Sequence, residues 1–201
     1  MDFNKLTRDE FIAIIQNSGF RLNSIELEPI HGYLEAAVLI LFSRIDNQWR
    51  VILTRRTDTV NDHKGQVAFP GGAREEQDNS LMETALREAQ EEIGILPGDV
   101  QVIGQMSPMQ TISYYRITPF LGIISHPYHF TAAKDEVARI FFIPLPWIAD
   151  TQNWSMEWFG GLPDGSRRQV IRYNPYDGEI LWGISAMFMQ TFIQGLKNNT
   201  R

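Results

Sequence analysis

The sequence predicts a single α/β domain spanning residues 1–201. Two observations support this fold class: apolar, β-branched runs with strand character recur along the chain, and amphipathic helical patterns separate them. The composition agrees, because 43% hydrophobic and 21% charged residues are ordinary for a globular protein, and 201 residues suffice for one substantial core.

A short amphipathic helix is predicted near the N-terminus, over about residues 7–18. Thr7 followed by Glu10 has the spacing of a capping box, in which the two side chains satisfy backbone N–H groups of the first turn. Gly19 suits the position just past the last turn. The expected role of this helix is packing.

A β-hairpin is predicted next. Residues 33–43 form an apolar run typical of a central strand, and residues 49–56 form a second strand across a polar turn. The second strand ends on Arg55 and Arg56. Both guanidinium groups are therefore expected beside the loop that leads to a glycine turn at 71–72.

The element around which the chain is organised is a helix predicted over residues 80–93. Ser80 with Glu83 fits a second capping box, and Gly94 suits the left-handed position after the C-terminus. The helix has an apolar stripe that would seat it on the core, so that its opposite margin remains available.

Three carboxylates share that margin. Because a helix advances about 100° per residue, Glu88, Glu91 and Glu92 project within a sector of roughly 100°. Like charges at this spacing repel one another, and a divalent cation would offset the repulsion. Carboxylate oxygens are ligands that Mg²⁺ and Mn²⁺ prefer, so a metal site is one interpretation, and a solvated acidic face is the other.

The C-terminal half is predicted to add strands and a closing helix. The expected strands cover 100–106, 116–124, a segment from Asp135 onward, 154–159 and 167–173. The connection 126–134 has the composition of a mobile loop. Residues 180–196 are expected to begin as a strand and to continue as a helix.

Charge and composition exclude several classes of function. A formal net charge of −6 gives no basic surface for nucleic acid, and no apolar run is long enough to span a membrane. The chain has no cysteine, and its N-terminus lacks the apolar core of a signal peptide. A cytoplasmic location is expected, and the oligomeric state is left open, with a homodimer as one alternative.

The segment from Gly71 to Ile95, GGAREEQDNSLMETALREAQEEIGI, resembles the Nudix box, the loop–helix motif of hydrolases that split a diphosphate linked to another moiety. Its second half, REAQEEIGI, matches the family pattern at every constrained position. The resemblance implies a Nudix-type α/β/α sandwich with a mixed central sheet. It also implies metal-dependent hydrolysis of a small-molecule nucleotide substrate.

The first half of the box departs from the family pattern. Ala73 and Asn79 hold the places of the family's Gly and Glu, because the loop is one residue longer. Gly72 and Asp78 stand beside those places and are the candidates to replace them.

A lengthened loop with an acidic residue in the place of Asp78 resembles the coenzyme A diphosphatase branch of the family. The upstream run over residues 53–72, LTRRTDTVNDHKGQVAFPGG, fits most of that branch's pattern, although Thr57 replaces a smaller residue and Asn61 replaces an Arg. The favoured substrate is accordingly coenzyme A or an acyl-CoA, with a phosphopantetheine and adenosine 3′,5′-bisphosphate as products. The alternatives are ADP-ribose, a dinucleotide or another nucleotide derivative, and a Nudix-like binding module without turnover.

Spacing and resemblance together assign roles to the charged residues. Glu88 and Glu92 are the expected primary ligands of Mg²⁺ or Mn²⁺. Glu91 is expected to be a further ligand or the general base, and Glu136, which resembles a loop glutamate of related enzymes, competes for the base role. Arg87 is expected to orient the carboxylates by pairing with one of them or with the glycine-rich loop.

Contacts to substrate are expected from cations and glycines. Arg56, and beside it Arg55 and Lys64, are the candidates for binding the phosphates. Gly71 and Gly72 are expected to let the backbone lie close against the glutamate helix, where a Cβ would obstruct it.

Overall fold

The computed structural model describes residues 2–20, 22, 30–58, 64–160 and 167–198. These residues form the helices α1 Arg8–Asn17, α2 Leu81–Ile93, α3 Leu145–Ala149 and α4 Gly183–Asn198. They also form the strands β1 Leu34–Ile45, β2 Gln48–Arg56, β3 Val67–Ala68, β4 Gly71–Ala73, β5 Val100–Gln105, β6 Met109–Gln110, β7 Tyr115–Ile124, β8 Val137–Pro144, β9 Trp154–Phe159 and β10 Arg168–Tyr173.

Local signals set the ends of the first elements. The Thr7 hydroxyl accepts from the Glu10 backbone N–H, and the Glu10 side chain accepts from the Thr7 N–H, which confirms the predicted capping box of α1. Asp46 and Asn47 adopt positive φ angles of 50° and 61°. Such angles are required of a two-residue hairpin turn, so the β1–β2 hairpin forms as predicted.

A mixed eight-stranded sheet forms the centre of the fold. β1 pairs in parallel with β7 and antiparallel with β2, while β8 extends the sheet beyond β2 and β5 extends it beyond β7. The short strands β3, β4 and β6 pair with β2, β1 and β7, respectively. The combination of parallel and antiparallel pairs confirms the predicted mixed sheet.

Helices cover both faces of this sheet, because alternate residues of each strand point in opposite directions. On one face, Ala37, Leu39 and Leu41 of β1 pack with the buried residues of α2: Ala85, Ala89 and Ile93. On the other face, Ile40 and Phe42 pack with α1 and α4 through Phe11, Ile15, Phe188, Met189 and Phe192. The arrangement confirms the α/β/α sandwich.

Two local predictions are wrong. Gly71 and Gly72 were expected in a turn, yet they lie in β4 and pair with β1, because the glycine backbone can lie directly against that strand. Residues 180–182 form no continuous strand, and only an isolated bridge joins Trp182 to Arg172 before α4 begins.

The C-terminal hairpin forms as a separate two-stranded sheet. β9 and β10 pair antiparallel over their full lengths, and the residues that join them, 161–166, lie outside the described part of the chain. None of the helices in the described ranges combines the length and the apolar character needed to cross a membrane.

Candidate active site

The ends of α2 follow local sequence signals. Ser80 caps the helix by accepting from the Glu83 backbone N–H at 3.2 Å, and Gly94 ends it in the left-handed conformation at φ 70°. The Glu83 carboxylate turns back to the N–H of Asn79 rather than to that of Ser80. The second capping box is therefore only half formed.

The three glutamates of α2 differ in burial. Glu92 is only 4% exposed, Glu88 is half-buried, and Glu91 is exposed. The difference arises because the helix packs its apolar stripe on the sheet, so that Glu92 lies nearest the core and Glu91 farthest from it.

Arg87 links the loop before α2 to the carboxylates on it. Its Nε and Nη2 atoms donate to the two oxygens of Asp78 at 2.9 and 3.0 Å, a bidentate pair. Nη1 donates to Glu88 at 2.8 Å and to Glu91 at 3.2 Å, while Nη2 also reaches the Ala73 carbonyl at 3.1 Å. One guanidinium group thus fixes the loop relative to both glutamates.

Asp78 is the buried anchor of this network. Besides Arg87, it accepts from the Glu75 backbone N–H at 2.9 Å and from the Thr84 hydroxyl at 3.0 Å. Arg87 lowers the pKa of Asp78 to about 2, and the two other donors act in the same direction. Sequence reasoning missed Thr84, although a hydroxyl residue on the inward face of an otherwise apolar turn was a usable signal.

Glu92 lies in an environment that disfavours its charge. Burial raises the pKa of Glu92 to about 8, and the nearby Glu88 and Glu136 carboxylates add to the rise, against the opposing effects of Arg56 and of the Gly71 backbone N–H. Arg56 Nη1 lies 3.7 Å from Glu92 Oε1, and Glu92 Oε2 has no hydrogen-bond partner. This oxygen is a buried acceptor without a donor.

Glu88 lies against the glycine strand. A Cβ built on Gly72 would come within 2.5 Å of Glu88 Cδ and within 2.6 Å of both carboxylate oxygens, so only glycine leaves room for this side chain. Gly71 has a φ of 154°, and its Cβ would lie 2.6 Å from Val38 Cα. Burial raises the pKa of Glu88, and the hydrogen bond from Arg87 opposes that rise.

The structure brings together some of the other predicted site residues and separates others. Glu136 precedes β8, and its carboxylate is near enough to raise the pKa of both Glu88 and Glu92. Arg55 points away from these glutamates and pairs with Asp58 at 3.0 Å and with Glu179 at 3.6 Å.

The other predicted contacts lie in the loop after β2. Lys64 is exposed, and no contact places its ammonium group at the glutamates. Asn61, where the sequence departs from the family pattern, lies outside the described residues.

The donor set fits a hard divalent cation. Its ligand atoms would be carboxylate oxygens, and the unpartnered Glu92 Oε2 is a buried acceptor that a cation would satisfy. In their present orientations, no three His, Asp or Glu side chains of the described residues are arranged to hold an ion. Glu88 and Glu91 pair with the guanidinium of Arg87 instead.

The site combines a helix that carries three glutamates, an arginine that pairs with them and a glycine strand, on one face of an α/β/α sandwich. The sequence model of the NUDIX domain matches residues 33–158, which include this entire site. The chain belongs to the Nudix family, and it is a hydrolase of the pyrophosphatase class. Nudix hydrolases generally use divalent metal ions.

Two sequence relatives and one solved structure also place the chain among Nudix hydrolases. "Uncharacterized Nudix hydrolase NudL" of Pectobacterium atrosepticum is 37% identical over 161 residues, which cover 80% of this chain and 81% of that protein. The protein of the same name from Escherichia fergusonii is 41% identical over 147 residues, covering 72% and 73%. The crystal structure of the Nudix hydrolase RenU from M. smegmatis shares the fold, with a TM-score of 0.50 and 21% identity over 60% of this chain and 76% of that one.

Proposed function

We propose that the protein hydrolyses a nucleoside diphosphate linked to another moiety, with coenzyme A or an acyl-CoA as the favoured substrate and Mg²⁺ or Mn²⁺ as cofactor. The observation that carries this proposal is the pair formed by buried Glu92 and half-buried Glu88, of which Glu88 lies against Gly72 of the glycine strand. Carboxylates held close together away from water are costly unless a cation compensates their charge.

The chain's own residues then have distinct roles. Glu88 and Glu92 would hold the cation, with Glu91 or Glu136 as a further ligand. When bound, a divalent ion polarises the phosphoryl oxygens and lowers the pKa of its water. Arg87 keeps the glutamates in place and does not need to touch substrate, since its donors are already engaged.

A general base must accept a proton from the attacking water. Glu91 and Glu136 are both exposed at the margin of the site, so both can reach solvent, whereas Glu92 is enclosed. These two carboxylates therefore remain the alternatives for the base.

Among the cations proposed for the phosphates, Arg56 has the best position. It lies beside Glu92, where a phosphate bound to the same metal would place its negative charge. Arg55 is directed towards Asp58 and Glu179, so it ranks below Arg56. Lys64 would have to reach the site from the surface of its loop.

The preference for coenzyme A rests on the lengthened loop before α2 and on the 53–72 run. The buried Asp78 supports it, because in this loop an acid at that position meets Arg87 directly. ADP-ribose, a dinucleotide and other nucleotide derivatives are the alternative substrates. A silent binding module is disfavoured because the box keeps its arginine and all three glutamates. The proposal includes a cytoplasmic location.

The deciding experiment is a substrate panel. The protein is incubated with Mg²⁺ or Mn²⁺ and coenzyme A, ADP-ribose, NADH or diadenosine polyphosphates, and products are separated by chromatography. We expect the highest kcat/KM for coenzyme A and a turnover lower by orders of magnitude for Glu92→Gln prepared in the same way. A preference for another compound would retire the coenzyme A assignment, and no turnover of any compound would favour the binding module.

A further inference from the structure

The segment that carries Glu136 is docked on the C-terminal end of α2. Thr131 donates its backbone N–H to the Ile93 carbonyl, and Ala133 donates to the Glu92 carbonyl, both at 2.9 Å. These carbonyls belong to the last turn of the helix, where no helical partner is available. Hydrogen bonds to the helix end restrain this part of the connection 126–134, and its mobility stays a prediction.

Hydrogen bonds also close the turn that leads into β8. The N–H groups of Glu136 and Val137 both donate to the Ala133 carbonyl, at 2.9 and 2.7 Å. The turn is thus one hydrogen-bonded unit. A displacement of Glu136 would therefore also disturb Ala133, the residue through which the turn contacts α2.

A second anchor reaches this turn from the end of β2. The β2–β8 pairing shifts its register between Arg55 and Arg56, and irregular pairing of this kind re-aims the residues that follow. Immediately after the shift, the Thr57 backbone N–H donates to the Glu136 carbonyl at 2.8 Å, and the Thr57 hydroxyl donates to the Asp135 carbonyl at 3.1 Å.

We propose that Thr57 is a positioning residue that holds the 133–136 turn, and so keeps the Glu136 carboxylate near Glu88 and Glu92. The hydroxyl matters because it supplies the second of two contacts from Thr57 to adjacent carbonyls of the turn, at the end of the turn opposite the contact of Ala133 with α2. The catalytic part of this inference rests on the proposed function, whereas the structural part does not. A purely local role for Thr57, as the end of a strand, is the competing explanation.

Amide hydrogen exchange tests the structural part without any turnover. Thr57→Val removes the hydroxyl but keeps the branched shape, and Thr57→Ser keeps the hydroxyl. We expect the amides of Ala133, Glu136 and Val137 to exchange about 3- to 10-fold faster in Thr57→Val, the effect of losing one hydrogen bond, and at the wild-type rate in Thr57→Ser. Thr111→Val, which removes a hydroxyl acceptor in a different loop, should leave these amides unchanged.

A double-mutant cycle tests the catalytic part. In the wild-type background, Thr57→Val should lower kcat by about 3- to 10-fold, with recovery in Thr57→Ser. In the Glu136→Gln background, the same substitution should change kcat by less than about twofold, because the residue through which it acts is already disabled.

Two results would overturn the inference. One is unchanged exchange of the three amides in Thr57→Val, and the other is an equal loss of kcat in both backgrounds. A wild-type protein that turns over no compound would defeat the proposed function instead, and the exchange rates would then decide alone whether Thr57 holds the turn.

Discussion

Asp78→Asn is the substitution for which the structure gives the most direct expectation. It preserves the size of the side chain but removes the charge that two guanidinium atoms of Arg87 contact. It also directs an NH₂ group at one or more of the four donors that surround the carboxylate. Arg87 keeps Glu88 and Glu91 as partners, so the variant should fold with reduced stability.

The expected loss follows from the pKa of Asp78, which falls from an ordinary 3.8 to about 2. This difference is worth about 2 kcal/mol of unfolding free energy at pH 7, and a poorly placed NH₂ group can raise the loss to about 3 kcal/mol. Because the folded-state pKa lies below the unfolded value, the stabilisation is present above about pH 4. It is lost as the pH falls from about 4 towards 2.

Urea unfolding at pH 7 measures this loss as a lower midpoint with an unchanged slope. Glu76→Gln is the matched control, because Glu76 is an exposed acid of the same loop, and it should change stability by less than about 0.5 kcal/mol. The difference between wild type and Asp78→Asn should shrink between pH 4 and pH 3. Equal stability at pH 7, or a deficit of the same size at pH 3, would refute the reasoning.

Further predictions concern the glutamates. Gly72→Ala should lower turnover by about tenfold or more, because its Cβ would displace the Glu88 carboxylate, whereas Gly98→Ala, with nothing within 4 Å of its Cβ, should not. Normal kinetics for both variants would remove the steric argument. Glu92→Gln should lower turnover by orders of magnitude without loss of stability in urea at pH 7. The pKa of Glu92 is about 4.5 in the unfolded chain and about 8 in the folded chain, so the wild type loses stability as the pH rises between these values, and Gln does not share this loss. A markedly less stable variant would contradict this account of burial. Excess EDTA should abolish turnover and Mn²⁺ should restore it, and full activity in EDTA would exclude a metal mechanism.

Elements with local causes were predictable from the sequence. The start of α1 depends on Thr7 and Glu10, which meet within one turn, and the β1–β2 turn depends on two residues that tolerate positive φ. The strand at Gly71 depends on its pairing with β1, far away in the sequence, and no local pattern reveals that pairing. The prediction for Gly71 therefore failed because its cause was a distant partner.

The two arginines at the end of β2 illustrate a signal that was present but unused. Neighbouring residues of a regular strand point to opposite faces, which favours one of Arg55 and Arg56 over the other as the residue that reaches the glutamates. The choice between them depends on which face of β2 meets α2, and the pairing of β2 with β1 and β8 sets that face. In the structure, Arg56 approaches Glu92, while Arg55 pairs with Glu179 on the other side.

In the lengthened loop before α2, the acid that pairs with Arg87 is identified by its contact and not by its spacing from the arginine. The family's acidic position falls on Asn79, whose N–H and amide group bind Glu83 at the start of α2. The acid of this loop is the neighbouring residue Asp78, whose carboxylate accepts from Arg87 directly. The sequence departs from the family pattern at Asn79, yet Arg87 still pairs with a buried carboxylate of the loop while it donates to Glu88. The geometry of the glutamates therefore depends on a buried carboxylate within hydrogen-bonding distance of Arg87. The exact sequence position of the residue that supplies this carboxylate matters less.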